Sequence, residues 1–229
     1  MNIKIALIAC AACVAAIGCS PLAPQPDRSK FFILTPLSDG SSAIATPPST
    51  GAPLTIGIGP VDFPDYLRRL EVVTRSSPTQ LDLSAEKRWG EPLDKNFERV
   101  LGENLAQLLN TRQIEKYPWS HKTQVDYQVA IDVQRFETST DGQSQLVARW
   151  MIKDGDTGKD LSASETTASA PVGSGETGAS IALSADLATM SREIAARIAD
   201  LSQHRAPATS ALEPRIRMSS SKGAEPIAD

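Results

Sequence analysis

The sequence predicts an α+β fold in which two amphipathic helices pack on one face of a largely antiparallel sheet of about six to seven strands. In two segments, apolar residues recur at three- and four-residue steps, which is the period of a helix face. In several shorter segments, apolar and polar residues alternate as they do in a half-buried strand. The predicted order is strands, helix, three-strand meander, helix.

Residues 1–18 are expected to form a signal peptide. A basic start at Lys4 is followed by an apolar and small-residue run over 5–17, an order typical of secretory signals. At about 13 residues this run is too short for a membrane span, which needs about 20. All three cysteines lie within the first 19 residues: Cys10, Cys13 and Cys19. Without a later cysteine, the exported part can form no internal disulfide.

The end of this segment resembles a bacterial lipobox, in which a small residue precedes the cysteine that receives the lipid. Ala16-Ile17-Gly18-Cys19 fits with one departure, since Leu is more usual at the position of Ala16. Leu7-Ile8-Ala9-Cys10 fits the letters better but leaves only about five apolar residues before the cut. Cys19 is therefore the expected lipidation site, with an ordinary cleaved signal or a core segment as the alternatives. By the same resemblance, Ser20 favours the outer membrane.

Composition limits the remaining classes of protein. Removing 18 of the 229 residues leaves 211, and losing Lys4 changes the net charge from −4 to −5. A mildly acidic chain gives no support for a nucleic-acid partner. Residues 19–30 carry three prolines and are expected to form a lipidated, semi-rigid tether. Residues 31–204 suit a single α+β domain, and 205–229 lack apolar periodicity and are expected to be disordered.

The first half of this domain predicts strands and one helix. Short apolar or alternating runs predict strands at 31–34, 54–60, 71–75 and 79–83. The segment 36–53 is rich in Ser, Thr, Gly, Ala and Pro and predicts a loop. The helix is predicted over 91–110, with Pro92 in its first turn and Asp94 favouring its dipole. Its apolar face consists of Leu93, Phe97, Val100, Leu101, Leu105, Leu108 and Leu109.

The second half predicts a meander followed by a second helix. Strict alternation over 125–133 predicts a long strand, and partner strands are predicted over 145–153 and 161–168. After a glycine-rich break at 173–178, the second helix is expected to end before Pro207. Its apolar face consists of Leu183, Leu187, Met190, Ile194, Ile198 and Leu201.

The sequence offers no catalytic constellation, metal site or cofactor site. His121 and His204 have neither a cysteine nor a second histidine at ligand spacing, which argues against zinc. Gly57-Ile58-Gly59 lacks the third glycine and the Lys-Ser/Thr of a phosphate loop and is interpreted as a strand end. Asp62 and Asp65 are interpreted as loop caps rather than as an acid/base pair.

Two aromatic and arginine-rich segments, 61–70 and 88–93, are the candidate functional regions. Tyr, Trp and Arg commonly anchor interfaces, so both segments are candidate partner surfaces. The alternative is that Phe63, Leu67 and Trp89 plug the sheet edge and fix the start of the helix. Both interpretations remain open at this level. The partner-binding candidates are Tyr66, Leu67, Arg68, Arg69 and Trp89.

Three segments resemble a known family in order along the chain. Residues 61–75 resemble the pattern LPxYLdrpqIVxR, residues 88–93 resemble RWaEPL, and residues 97–109 resemble FxRvLxeNLaqLL. All three belong to the PqiC-like, ABC-type transport auxiliary lipoproteins. Leu70 replaces a common proline, and Gly90 replaces a usual alanine.

The resemblance implies a non-enzymatic lipoprotein on the periplasmic face of the outer membrane. It implies that the protein moves lipids together with an MCE-domain tunnel protein and an integral inner-membrane subunit, and that this transport supports membrane integrity. Acylated Cys19 would hold it in the lipid bilayer. Whether the subunits form a homo-oligomer is left open. The alternatives are a self-sufficient lipid carrier with an apolar cavity between sheet and helices, and a periplasmic hydrolase whose nucleophile cannot be named.

Overall fold

The computed structural model describes residues 26–38, 53–120 and 122–204. The expected signal peptide, Cys19, most of the expected tether, His121 and the 205–229 tail lie outside these ranges.

In the described residues the chain forms eight strands, one 3-10 turn and two α-helices. The turn spans Asp65–Leu67, and the helices are α1 (Leu93–Leu108) and α2 (Gly178–His204). The strands are β1 (Lys30–Phe32), β2 (Thr55–Asp62), β3 (Glu71–Ser77), β4 (Gln80–Trp89), β5 (Gln113–Lys116), β6 (Tyr127–Ser139), β7 (Ser144–Asp154) and β8 (Asp160–Ala168).

All eight strands belong to one sheet. Its order is β1-β4-β3-β6-β2-β5, with β7 on the other edge of β6 and β8 beside β7. The long ladders β3–β4, β6–β7 and β7–β8 are antiparallel, and the shorter ones are parallel. The predicted α+β class, the meander and the two helices are confirmed. The sheet gains β5, which was not predicted because it is only four residues long and has no alternating pattern.

Several strands extend beyond their predicted ends, and β6 continues from the predicted end at 133 to Ser139. β2 continues past Pro60 to Asp62, and its register with β6 shifts between Ile58 and Val61. Such an irregularity accommodates a proline, which has no N–H to donate to a ladder. β4 reaches Trp89 because its last residues pair with β1, a partner more than fifty residues away in the chain.

The core lies between the sheet and the two helices. On α1 the fully buried residues include Phe97, Leu101 and Leu105, and on α2 they include Leu187 and Ile194. These side chains join the inward residues of β2, β6 and β7 in one hydrophobic cluster. Each buried Leu or Ile contributes about 1.5–3 kcal/mol, so the shared core holds both helices to the same face.

The buried side-chain amide of Asn104 links the two helices and the N-terminal segment by hydrogen bonds. Asn104 of α1 accepts a hydrogen bond from the backbone N–H of Leu37 at 2.8 Å. Its Nδ2 donates to Oγ of Ser191 on α2 at 3.0 Å. Because a buried polar group must be paired, this one residue fixes the course of the chain that follows β1.

Candidate functional site: the bend between β2 and β3

The long strand β6 carries two partners in succession along one edge. β2 pairs with its first half, as far as Asp132, and β3 pairs with its end at Thr138 and Ser139. The bend, defined as residues 63–70, connects β2 to β3 beside the interval between them. β6 itself changes register in this interval, between Val133 and Arg135. The bend therefore lies at a local break in the sheet.

Aromatic packing holds the bend against α1 and β6. The ring of Phe63 meets that of Phe97 edge-on, with centroids 5.2 Å apart. Phe97 meets Phe136 in the same way at 5.2 Å. Leu67 has only 1% of its surface exposed and belongs to the same core. Edge-on aromatic pairs add about 0.5–1.5 kcal/mol to area burial, so the bend is firmly held on α1 and β6.

The buried carboxylate of Glu137 also holds the bend in place. Glu137 of β6 is 2% exposed, and its Oε2 accepts a hydrogen bond from the Tyr66 hydroxyl at 2.8 Å. Its Oε1 accepts from Nε of Arg75 at 2.7 Å, and the backbone N–H of Phe136 donates to Oε2 at 3.1 Å. Burial, together with the bond to this carboxylate, raises the pKa of Tyr66 to about 12. Tyr66 therefore keeps its proton as a hydrogen-bond donor at physiological pH.

Three residues of the bend face outward. Arg68 is exposed, and its Nη2 lies 2.7 Å from Oδ1 of Asp62 and its Nη1 3.9 Å from Asp65. Arg69 is half-buried, and its Nε has no hydrogen-bond partner within the described residues. Leu70 exposes 43% of its surface. This mixture of cationic and apolar groups on a rigid base is typical of a protein-binding surface.

The three segments that resemble the family form one unit. The backbone N–H of Trp89 donates to the carbonyl of Leu70 at 2.6 Å, which joins the second segment to the first. Arg99 donates from Nε and Nη2 to one oxygen of Glu91, at 3.1 and 2.8 Å, which joins the third segment to the second. The Phe63–Phe97 contact joins the third to the first.

The partner-binding candidates thus divide into two groups. Leu67 and Trp89, at 1% and 2% exposure, are core residues, and Tyr66 is half-buried and tied to Glu137. Leu67 and Trp89, together with the buried Phe63, have the positions that the plug alternative requires. Arg68 and Arg69 are accessible and stay candidates for partner binding. The sequence analysis missed Glu137 and Phe136, which lie beyond the strand predicted over 125–133. The available signal was that the apolar alternation moves from odd to even positions between Val133 and Phe136.

The opposite face of the sheet, called the helix-free face, carries a shallow concavity of about 630 Å³. Its floor includes Pro60, Ala130, Met151 and Ala163. Charged side chains surround this floor. Two of them form an ion pair between neighbouring strands, in which Nε of Arg149 lies 3.2 Å from Oε2 of Glu165. Beside it, Trp119 stacks edge-on against Tyr117 and covers β2 at Gly57.

Residues 26–38, 53–120 and 122–204 contain no cluster of three or more His, Cys, Asp or Glu residues that could hold a metal ion. Neither α1 nor α2 is long and apolar enough to cross a bilayer. His204 lies exposed at the end of α2, where its Nδ1 is 2.8 Å from the carbonyl of Asp200.

Comparison with known proteins supplies the family. The sequence profile of the "ABC-type transport auxiliary lipoprotein component" family matches residues 36–195, which is 160 of the 229 residues. None of the curated proteins compared with the chain matches it.

Two crystal structures have a similar fold. One is a Xanthomonas campestris protein assigned to DUF330, with 16% identity, a TM-score of 0.57, and coverage of 76% of this chain and 98% of that chain. The other is an uncharacterized protein with 21% identity, a TM-score of 0.51, and coverage of 65% and 94%. At these identities the likeness establishes the fold alone. The family comprises envelope lipoproteins that assist transporters. Because its profile matches residues 36–195, the chain belongs to this ABC-type transport auxiliary lipoprotein family, which is the PqiC-like family that the sequence motifs resemble.

Proposed function

We propose that the protein is a lipid-anchored, non-enzymatic subunit of an MCE-type intermembrane lipid transport system. Acylated Cys19 holds it in the outer membrane, and the domain faces the periplasm. There it docks an MCE-domain tunnel protein that works with an integral inner-membrane subunit, and its action supports membrane integrity. The observation that supports this proposal is that the three family segments, which lie inside the matched residues 36–195, pack as one unit.

The docking surface in this proposal is the outward side of the bend. Arg68, Arg69 and Leu70 are held there by Tyr66 and Phe63, which are fixed to β6 and α1. A preordered surface loses little conformational entropy when it binds, and Arg beside an exposed apolar residue suits an interface centre. The ion pair of Arg68 with Asp62 is exposed and therefore contributes little to folding. Arg68 can consequently exchange this carboxylate for one on the partner.

A charge reversal at the bend tests the proposal. The tagged, lipidated protein is purified from its native envelope in mild detergent, and co-purified proteins are quantified by mass spectrometry. We expect Arg68→Glu to lower recovery of the MCE-domain protein on the order of tenfold, equivalent to about 1.4 kcal/mol of binding free energy.

Arg149→Glu is the matched control, because Arg149 is also an exposed arginine in an ion pair but lies on the helix-free face. Equal loss of partner with both variants would exclude the bend as the docking surface. If the wild-type protein recovers no MCE-domain protein, the proposed transport system itself is wrong.

A self-sufficient lipid carrier is the second candidate function, and the concavity on the helix-free face favours it. Its volume of about 630 Å³ is in the range of small-molecule sites, and its floor is apolar. It lies on the face opposite the sheet–helix interface where the sequence analysis placed such a cavity. Ala163→Trp would fill it, and Thr167→Trp on the same strand is the control. If the protein is a carrier, Ala163→Trp alone removes co-purified lipid.

A further inference from the structure

The strand β1 and the residue that follows it present two large apolar side chains to solvent. Phe31, in β1, exposes 64% of its surface, and Ile33, directly after β1, exposes 52%. The intervening residues are turned inward, since Phe32 packs against the core and Leu34 is fully buried. Exposure and burial therefore alternate over residues 31–34, as they do along an extended chain.

Phe31 and Ile33 lie side by side over Gly90. A Cβ at Gly90 would meet Cγ2 of Ile33 at 3.3 Å and Cβ of Phe31 at 4.0 Å. The pair thus forms one continuous apolar projection, called here the β1 ridge and defined as Phe31 and Ile33. It lies at the end of the sheet, because β1 is the terminal strand of the path that leads through β4 and β3.

The position of the β1 ridge along the chain indicates what contacts it. Twelve residues separate Phe31 from Cys19, and a fully extended chain covers at most about 3.3–3.6 Å per residue, so the β1 ridge lies within about 40 Å of the acyl chains. No other part of the described domain is closer to Cys19 along the chain than the segment that leads into β1. Among the described exposed apolar residues, Phe31 and Ile33 are the nearest to the anchor in sequence.

The charges around the β1 ridge are nearly balanced. Lys30 forms an ion pair with Glu176, and Arg88, in register with Phe31, lies opposite Glu71 on β3. Lys87 is in register with Lys30. Contact with a bilayer would therefore depend on apolar burial, with basic side chains able to extend toward the headgroups.

We infer that the β1 ridge is a second membrane contact: Phe31 and Ile33 insert at the headgroup level of the bilayer that holds acylated Cys19. The inference rests on the lipid anchor of the proposed function, although it does not need the MCE partner. The domain then lies with this edge of its sheet against the membrane, and the proline-rich segment does not hold it at full length from the lipid. An apolar contact beside an acyl anchor follows the two-signal pattern of stable membrane attachment.

Depth measurement tests the inference on the lipidated mature protein. After removal of the signal peptide the chain keeps only Cys19, whose sulfur is acylated, so one introduced cysteine can be nitroxide-labelled. The variants are Phe31→Cys, Ile33→Cys and, as control, Leu83→Cys, which replaces an apolar residue of β4 with 48% exposure five residues from Arg88. Each is reconstituted in vesicles of phosphatidylethanolamine and phosphatidylglycerol.

Collision rates with oxygen and with a water-soluble nickel complex report the depth of the label. We expect a several-fold higher oxygen-to-nickel ratio at 31 and 33 than at 83, unchanged at high salt. Adding Phe31→Ser to Ile33→Cys is expected to move the label at 33 toward water. A water-like ratio at both positions overturns the inference.

A second protein copy on the β1 ridge is the competing explanation. Bilayer contact persists when the protein is diluted into excess lipid, whereas self-association is lost. Loss of the signal on dilution therefore overturns the inference. Mass spectrometry of the mature N-terminus checks the acyl anchor separately, and an unmodified Cys19 removes the premise. Recovery of the MCE partner is a different measurement, so failure of the docking proposal leaves this result interpretable.

Discussion

At the residue scale, the hydrogen bonds of Glu137 show that Tyr66 stabilises the fold itself, independently of any partner protein. Its hydroxyl and the Arg75 guanidinium share one buried carboxylate. Without it, each group would keep only a long contact of 3.4 Å to a backbone carbonyl, that of Gln134 for Tyr66 and that of Pro78 for Arg75. Hydrogen bonds to charged groups contribute more than neutral ones, about 1.5–3 kcal/mol. The proposed docking function of the bend would therefore depend on a side chain that is itself structural.

Tyr66→Phe is expected to lower the free energy of unfolding by roughly 1–2 kcal/mol, because the ring stays and the hydroxyl loses its hydrogen bond to Glu137 together with the longer contact, at 3.4 Å, to the carbonyl of Gln134. Urea unfolding measures this change. Tyr117→Phe is the matched control, since Tyr117 is a half-exposed tyrosine outside this network. Equal stability of wild type and Tyr66→Phe would contradict the structural role. Tyr66→Ala should unfold the bend, so Arg68→Glu is the cleaner test of docking.

Asp186 on α2 gives a prediction for pH. It is buried, its Oδ2 has no partner among the described residues, and burial, partly offset by a hydrogen bond with Ser144, raises its pKa to about 6. An unfolded Asp titrates near 4, so the folded state holds the proton more tightly. Stability from this group is therefore full below about pH 4 and is lost as pH rises through about 6.

Asp186→Asn should remove this pH-dependent loss, which two pKa units limit to about 3 kcal/mol. We expect the variant to be more stable than wild type at pH 7.5 and the two to converge near pH 4, measured by urea unfolding at several pH values. Asp132→Asn, at an exposed carboxylate of β6, is the control. A parallel pH profile for Asp186→Asn and wild type would refute this assignment.

At the element scale, β2 has large apolar side chains on one face and a glycine on the other. Ile56 and Ile58 are fully buried toward the helices, whereas Gly57 faces the other side. A Cβ at Gly57 would lie 2.7 Å from Cη2 of Trp119. The glycine at position 57 therefore makes room for the indole of Trp119.

Gly57→Ala should displace Trp119 and lower the free energy of unfolding by about 1–3 kcal/mol, the usual cost of overpacking. Near-ultraviolet circular dichroism and urea unfolding together measure the displacement and its cost. Gly173→Ala is the control, because nothing lies within 4 Å of a Cβ there. A stable Gly57→Ala with an unchanged aromatic spectrum would show that the contact is not tight.

At the scale of the whole molecule, the proposed lipid anchor and the proposed docking surface lie in separate parts of one chain. Cys19 lies N-terminal to β1, whereas the bend lies between β2 and β3 at the middle of the sheet path. Changes to the anchor should therefore alter location without altering the fold. Changes to the bend should alter partner binding without altering location.

Cys19→Ser is expected to move the protein from the membrane fraction to the periplasmic fraction, because an apolar contact of two side chains is weak without acyl chains. Fractionation with immunodetection measures the shift. Ser20→Ala, next to the proposed site, should leave the protein in the membrane. Full retention of Cys19→Ser would mean that the lipidation assignment is wrong.

Periodicity in the sequence determined most elements of this protein, because the alternation of 125–133 and the apolar stripes of both helices are local signals. The short strand β5 carries no such signal, and only its pairing with β2 in the sheet defines it. The resemblance of three segments determined the family. Only the tertiary structure decided which candidate residues are surface and which are core. The sequence left Leu67 and Trp89 open between an interface and a core plug, because burial depends on partners distant in the chain, here α1 and β1. For the same reason, an apolar run at 31–34 predicts a strand, but only the position of β1 at the end of the sheet leaves Phe31 and Ile33 exposed.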